Sequence, residues 1–206
     1  MNYAVERSRC YGEDGLARID NGLIALSQDE VEANCAKYGR LYDWSTSMAL
    51  PRKCNNTLST KDADCTITTP HHRGICPVEW HIPSNADWEK LIRYVDSENG
   101  GDGGGTPYKS NTAGKYLKAT NGWNNGGNGT DKYGFSALPA GDGGGWAGSD
   151  GEPVSFNLAG EYGLWQQSSE NTTYSNYVLY TSYKDELADW HSYYKHGFFS
   201  IRCVKD

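Results

Sequence analysis

An α+β fold with long loops is predicted by three features of the sequence. Two stretches of the first half carry helix caps followed by apolar residues at helical spacing. Short Tyr/Val/Thr-rich or alternating runs occupy the C-terminal half. Glycine and asparagine fill long intervals between them. The chain has 206 residues, a length suited to one domain spanning 1–206. Hydrophobic residues are only 37%, yet there are 15 Tyr and 7 Trp. The core is therefore expected to use a few large rings, each burying roughly 150–250 Å², rather than many Leu and Ile. Such aromatic content argues against disorder. No run approaches the ~18–20 apolar residues of a membrane span. A net charge of −7 without a Lys/Arg cluster makes nucleic acid a poor partner.

Ser27-Gln28-Asp29-Glu30 has the form of a capping box. Val31 and Cys35 then share one face, and Gly39 is the expected stop. A second helix follows Pro83-Ser84, with Asp87 in its first turn. Trp88, Leu91, Ile92 and Val95 form its stripe and Asn99-Gly100 ends it. A shorter helix is read from Thr112 to Lys118, weakened by Gly114. Strand signals come later: Phe135 and Ala137 alternate, Tyr177 to Tyr183 is Tyr/Val/Thr-rich, and Phe199, Ile201 and Cys203 alternate with Ser200 and Arg202. In the Tyr177–Tyr183 strand only one side chain set is expected to face out. The glycine tracts Asn99–Gly105 and Gly141–Gly151 lack the Lys-Ser/Thr of a P-loop and are read as surface loops. Trp80, Trp88, Leu91, Phe135, Leu138 and Ile201 are expected in the core.

Six cysteines, Cys10, Cys35, Cys54, Cys65, Cys76 and Cys203, form no C-x-x-C pair. Zinc on Cys65, His71, His72 and Cys76 is one reading, and free thiols another. The even number and the loop-rich surroundings favour disulfides, hence an oxidising compartment. No apolar leader follows Met1, which leaves a cytosolic protein or an excised mature domain; the cysteines favour the latter.

Several segments together resemble the Fibrobacter succinogenes major paralogous domain, a bacterial extracellular family. They are YGRLYDW (Tyr38–Trp44), CPVEWHIPSNADWEKL (Cys76–Leu91), AGKYLKATNGW (Ala113–Trp123), GNGTDKYGFSALPAG (Gly127–Gly141) and GFFSIRCVKD (Gly197–Asp206). Asp142–Asn157 and Asn171–Lys195 follow no fixed pattern of that family. Its W-W-S-S-T-E-like stretch stands here as Trp165-Gln166-Gln167-Ser168-Ser169-Glu170, without the second Trp. The family's usual upstream strand is missing, so the chain is read as a domain cut from a larger secreted protein. The resemblance implies a C-type-lectin-like fold, in which two helices flank a twisted antiparallel sheet and long loops carry the ligand site. Related folds are the formylglycine-generating enzymes and the variable proteins of diversity-generating retroelements. It also implies the bridge Cys76–Cys203, and Cys10–Cys35 and Cys54–Cys65 are then expected to pair as sequence neighbours.

Catalysis is not expected. Only Cys203 follows Cys76, so the redox cysteine pair of formylglycine-generating enzymes is missing. None of His71, His72, His81, His191 and His196 sits in a recognisable nucleophile–base arrangement. His81 is read as a buried structural residue, and His71 and His72 as solvated loop residues. Sugar-binding calcium triplets are absent, since Glu152-Pro153-Val154 lacks the amide and Ala188-Asp189-Trp190 is not W-N-D. No cofactor is expected. A structural calcium on Asp102, Asp142, Asp150 and Glu152 is allowed by composition alone. What remains is an extracellular or cell-surface binding module for a protein or a polysaccharide, of open oligomeric state. Tyr and Trp among Ser, Thr and Asn make the mixture that antibody paratopes use. The chosen contact residues are Tyr174, Tyr177, Tyr183, Trp190, Tyr193 and Tyr194, with Trp146 from the glycine-rich loop.

Overall fold

The computed structural model describes residues 4–5, 7–20, 22–105, 108–144 and 154–206. In chain order the elements are β1 (Ser8–Arg9), β2 (Gly15–Ile19), β3 (Gly22–Ile24), α1 (Gln28–Tyr38), β4 (Leu41–Tyr42) and α2 (Trp44–Ser47). Then come β5 (Trp80–His81), α3 (Asn85–Asn99), α4 (Ala113–Leu117), β6 (Asp142–Gly143) and β7 (Val154–Asn157). The chain closes with β8 (Tyr162–Glu170), β9 (Ser175–Ser182), β10 (Asp189–Tyr194) and β11 (Val204–Lys205). The class is α+β, as expected. Both capping boxes form, with Ser27 and Glu30 on α1 and Ser84 and Asp87 on α3. Gly100 ends α3 in the left-handed region, which glycine enters without a steric penalty.

The α3 stripe enters the first core cluster. Trp88, Ile92 and Val95 pack with Ala113 and Leu117 of α4, with Trp123, and with Trp165 and Leu179 of the sheet. Gly114 of α4 is required by this packing. A Cβ there would stand 2.1 Å from the Leu187 carbonyl oxygen. β8, β9 and β10 form an antiparallel sheet with β9 in the middle. A smaller sheet in the order β3-β2-β7-β6 joins β2 to β7 in parallel.

Several expectations are corrected. Neither side of β9 faces out: Leu179 lies in the α3 cluster, while Val178 packs with Leu164 and Phe199 in another. A middle strand covered on both faces loses the one-sided polarity on which alternation depends. The run around Phe135 and Ala137 is a loop, because Ser136 takes φ +51° and Asp131 accepts both its N–H and its Oγ at 2.6 Å. Trp80 is 38% exposed, not core. On two-residue β5 the alternation turns His81 inward and Trp80 outward. Leu91, Phe135 and Leu138 are half-buried, whereas Trp88 and Ile201 are buried. The second glycine tract opens as strand β6 rather than a surface loop. Gly141 has φ +67°, and a Cβ on it would stand 2.1 Å from the Asn157 carbonyl oxygen. The final segment is not one ladder. Phe198, Phe199 and Ser200 each bridge a different strand, at Gly143, Tyr42 and Trp165, before β11 pairs with β5.

The three disulfides are Cys10–Cys35, Cys54–Cys65 and Cys76–Cys203. Cys65 and Cys76 are therefore not thiolates, which overturns the zinc set that used them. Among the described residues, no helix is long and apolar enough to cross a membrane.

Candidate ligand-binding site

Antiparallel register sorts the chosen aromatic residues into two groups. Tyr194 lies opposite Ser175 and Trp190 opposite Leu179. Tyr174, Tyr177, Tyr193 and Tyr194 therefore gather at one end of the β9–β10 pair. Tyr183 and Trp190 belong to the other end. They pack against the α3 cluster, and the Trp190 indole N–H donates to the Tyr108 carbonyl at 2.7 Å. Such anchoring is what a wall of the core needs. Trp146, Asp150 and Glu152 lie outside the described residues. Asp102 is exposed and accepts from Asn111.

At the first end Tyr174 is 56% exposed and Tyr194 is 61% exposed. The Tyr174 carbonyl accepts the Lys195 N–H at 2.9 Å, which ties the β8–β9 turn to the end of β10. Beside them is a cleft of about 350 Å³ between β10 and the smaller sheet. Tyr193, Tyr194 and Gly197 form one side, and Asp142, Asn157 and Arg18 the other. β6 delivers Asp142, β7 delivers Asn157 and β2 delivers Arg18, so the cleft exists only because β2 and β7 pair in parallel. Arg18 Nε donates to Asn157 Oδ1 at 2.9 Å. The Tyr193 ring stacks at a tilt on Phe199, with centroids 5.0 Å apart.

Burial dominates the electrostatics here. It raises the Asp142 carboxyl to about 6, and among the described residues Asp142 Oδ1 is sequestered without a hydrogen-bond partner. Burial also pushes the Tyr193 phenol up to about 12, with Asp142 and then Tyr162 adding to it. A carboxyl that changes state near neutrality, a guanidinium, an amide and two phenols together suit hydrogen bonding to hydroxyl-rich or polar ligands. Arg18 and Asn157 carried no signal in the sequence, and Asp142 stood out only as a calcium oxygen. No local pattern could have joined three residues so far apart in the chain.

The sequence departure at Gln166 has a structural account. Gln166 is buried, its Nε2 donates to the Tyr42 carbonyl at 2.6 Å, and its Oε1 accepts from Asn176 at 3.1 Å. It clamps β8 to β4 and β9 where the resembling family text has a second Trp.

No curated protein and no solved structure matches the chain. The profile of the Fibrobacter succinogenes major domain matches residues 7–205. That match spans nearly the whole chain and takes in both capped helices, all three disulfides and the cleft, and the chain belongs to the Fibrobacter succinogenes major domain family.

Proposed function

We propose that the chain is a non-catalytic, extracellular or cell-surface ligand-binding module with a C-type-lectin-like fold. It presents the Tyr174–Tyr194 end of its three-stranded sheet to a surface protein or a glycan. One observation carries this reading: Tyr174 and Tyr194 keep more than half of their surface in solvent, and Tyr194 lines a cleft in which Asp142 Oδ1 has no partner among the described residues. Exposed aromatic faces beside polar groups are a common basis of recognition. Three disulfides support an oxidising compartment.

A glycan is favoured by the concavity of the cleft and by the carboxyl, amide and guanidinium that line it beside the phenols. Diversification by a retroelement is a further reading, tested by a neighbouring reverse-transcriptase gene with a near-copy of the coding end. Binding itself is tested on arrays of glycans and of surface proteins, comparing the natural chain with Tyr174→Ala and Tyr194→Ala. A hit weakened at least tenfold by either change supports this end of the sheet. Hits that neither change weakens would move the binding surface elsewhere, and no hit in either array would sink the proposal.

A further inference from the structure

A second group of side chains lies where β11 meets β5. His81 is 2% exposed and fixed from both sides. Its Nε2 lies 3.4 Å from Asp87 Oδ2, and its Nδ1 lies 2.6 Å from Asp206 Oδ1. Asp87 Oδ2 is itself held by the N–H of Ser84 at 2.8 Å and its hydroxyl at 2.6 Å. His71 Nδ1 is 3.8 Å from the same Asp206 oxygen. One donor atom from each of His71, His81 and Asp206 lies within 4.8 Å of the others, the only such group of three among the described residues.

We propose that His71, His81 and Asp206 form a binding site for a divalent transition-metal ion of the zinc class. Two imidazoles and one carboxylate are a borderline donor set that suits zinc, whereas calcium and magnesium need mostly oxygen. The Asp87–His81 contact is the independent feature that points to a metal. A ligating histidine usually gives its other ring N–H to a carboxylate, which fixes the tautomer and turns the free nitrogen toward the ion. Here the helix cap of α3 fixes that carboxylate, so His81 is oriented before any ion arrives.

Zinc bonds of roughly 2.0–2.2 Å set tetrahedral donors about 3.3 Å apart. The ion therefore replaces the His81–Asp206 hydrogen bond and the proton within it, and the Asp206 carboxylate moves outward by less than an ångström. The His71 and His81 rings are stacked, with centroids 4.3 Å apart, so the His71 ring must tilt until its lone pair converges. Side-chain exposures of 56% for His71 and 46% for Asp206 leave both room to move. His71, His81 and Asp206 line a cavity of about 650 Å³ that Trp88, Leu91, Tyr94 and Phe135 also border. An open fourth position is where solvent or a donor from a ligand enters. The site is separate from the cleft at β10, and its test does not depend on that reading.

The test is isothermal titration of the chelator-treated full chain with zinc chloride near neutral pH. One equivalent is expected to bind, with at least tenfold weaker binding in both His71→Ala and Asp206→Asn. Both residues are exposed enough for the variants to fold, which circular dichroism checks. His191→Gln, a change on β10 outside the group, is expected to bind as the natural protein does. Cobalt(II) in place of zinc should give visible absorption bands that both site variants lose. Lack of stoichiometric zinc uptake would overturn the proposal. So would site variants that bind normally, or an equal loss in His191→Gln.

Discussion

Asp142 and Lys195 are two ionisable residues that burial perturbs, and they meet it differently. Lys195 is buried, and its ammonium donates to the carbonyls of Cys54 at 3.2 Å and Thr57 at 3.0 Å and to Glu170 at 2.5 Å. It also stands 4.3 Å from the centre of the Trp44 ring. Burial lowers its pKa and Glu170 opposes that shift. Every proton of the ammonium has an acceptor, so the charge is tolerated. Asp142 Oδ1 has no such partner among the described residues, and its carboxyl rises to about 6. An unfolded aspartate titrates near 3.9. Between about pH 4 and 6 the folded state thus holds the extra proton, and stability falls as pH rises through that window. The penalty is complete above about pH 6 and absent below about pH 4. Two pH units correspond to at most about 3 kcal/mol. Asp142→Asn is expected to raise stability by roughly 1–3 kcal/mol at pH 7 and to flatten the slope between pH 4 and 6. Urea denaturation at both ends of the window measures this. An unchanged slope would mean that Asp142 is solvated after all.

Among the elements, helices are read from sequence more securely than strands, and β9 explains why. The caps of α1 and α3 are local: Ser27 with Glu30, and Ser84 with Asp87, each act over three residues. The α3 stripe is equally local, and Trp88, Ile92 and Val95 are indeed buried. Trp88 sits edge-on to Phe135, with centroids 5.9 Å apart. Replacing it by Ala should cost roughly 3–5 kcal/mol through lost burial and a cavity, seen as a lowered denaturation midpoint with native-like circular dichroism. A midpoint equal to that of the natural chain would contradict the packing of α3. β9 is different, because its two faces are covered by different clusters. Which Tyr faces solvent then depends on what neighbouring elements supply. Tyr177 and Tyr194 sit where the sheet ends, Tyr183 and Trp190 where α3 and α4 cover it. The same residue types in one strand pair thus include exposed Tyr174 and Tyr194 at one end and half-buried Tyr183 and Trp190 packed against the core at the other.

On the scale of the whole molecule, disulfides do what a small aliphatic core leaves undone. Cys76–Cys203 spans 127 positions, Cys10–Cys35 spans 25 and Cys54–Cys65 spans 11. Chain-entropy arguments give about 5 kcal/mol for the longest loop and about 3 kcal/mol for the shortest. The Cys76→Ala/Cys203→Ala double variant is therefore expected to lose more stability than Cys54→Ala/Cys65→Ala. Calorimetric midpoints of the two variants compare them directly. The reverse order would show that local strain or residual unfolded structure outweighs loop length. The sequence by itself determined what is local or cumulative: the α+β class, both capped helices, the even set of cysteines and the aromatic core. The resemblance to a family added the Cys76–Cys203 pair, and sequence proximity then paired the other four cysteines. Only the tertiary structure decided that β2 and β7 pair in parallel, that Arg18, Asp142 and Asn157 meet beside Tyr193, and that His81 and Asp206 touch across 125 positions. Caps and stripes arise from neighbours three or four residues apart, which periodicity records. Contacts between distant strands depend on which loop closures the whole chain can satisfy together, and no local pattern encodes that choice.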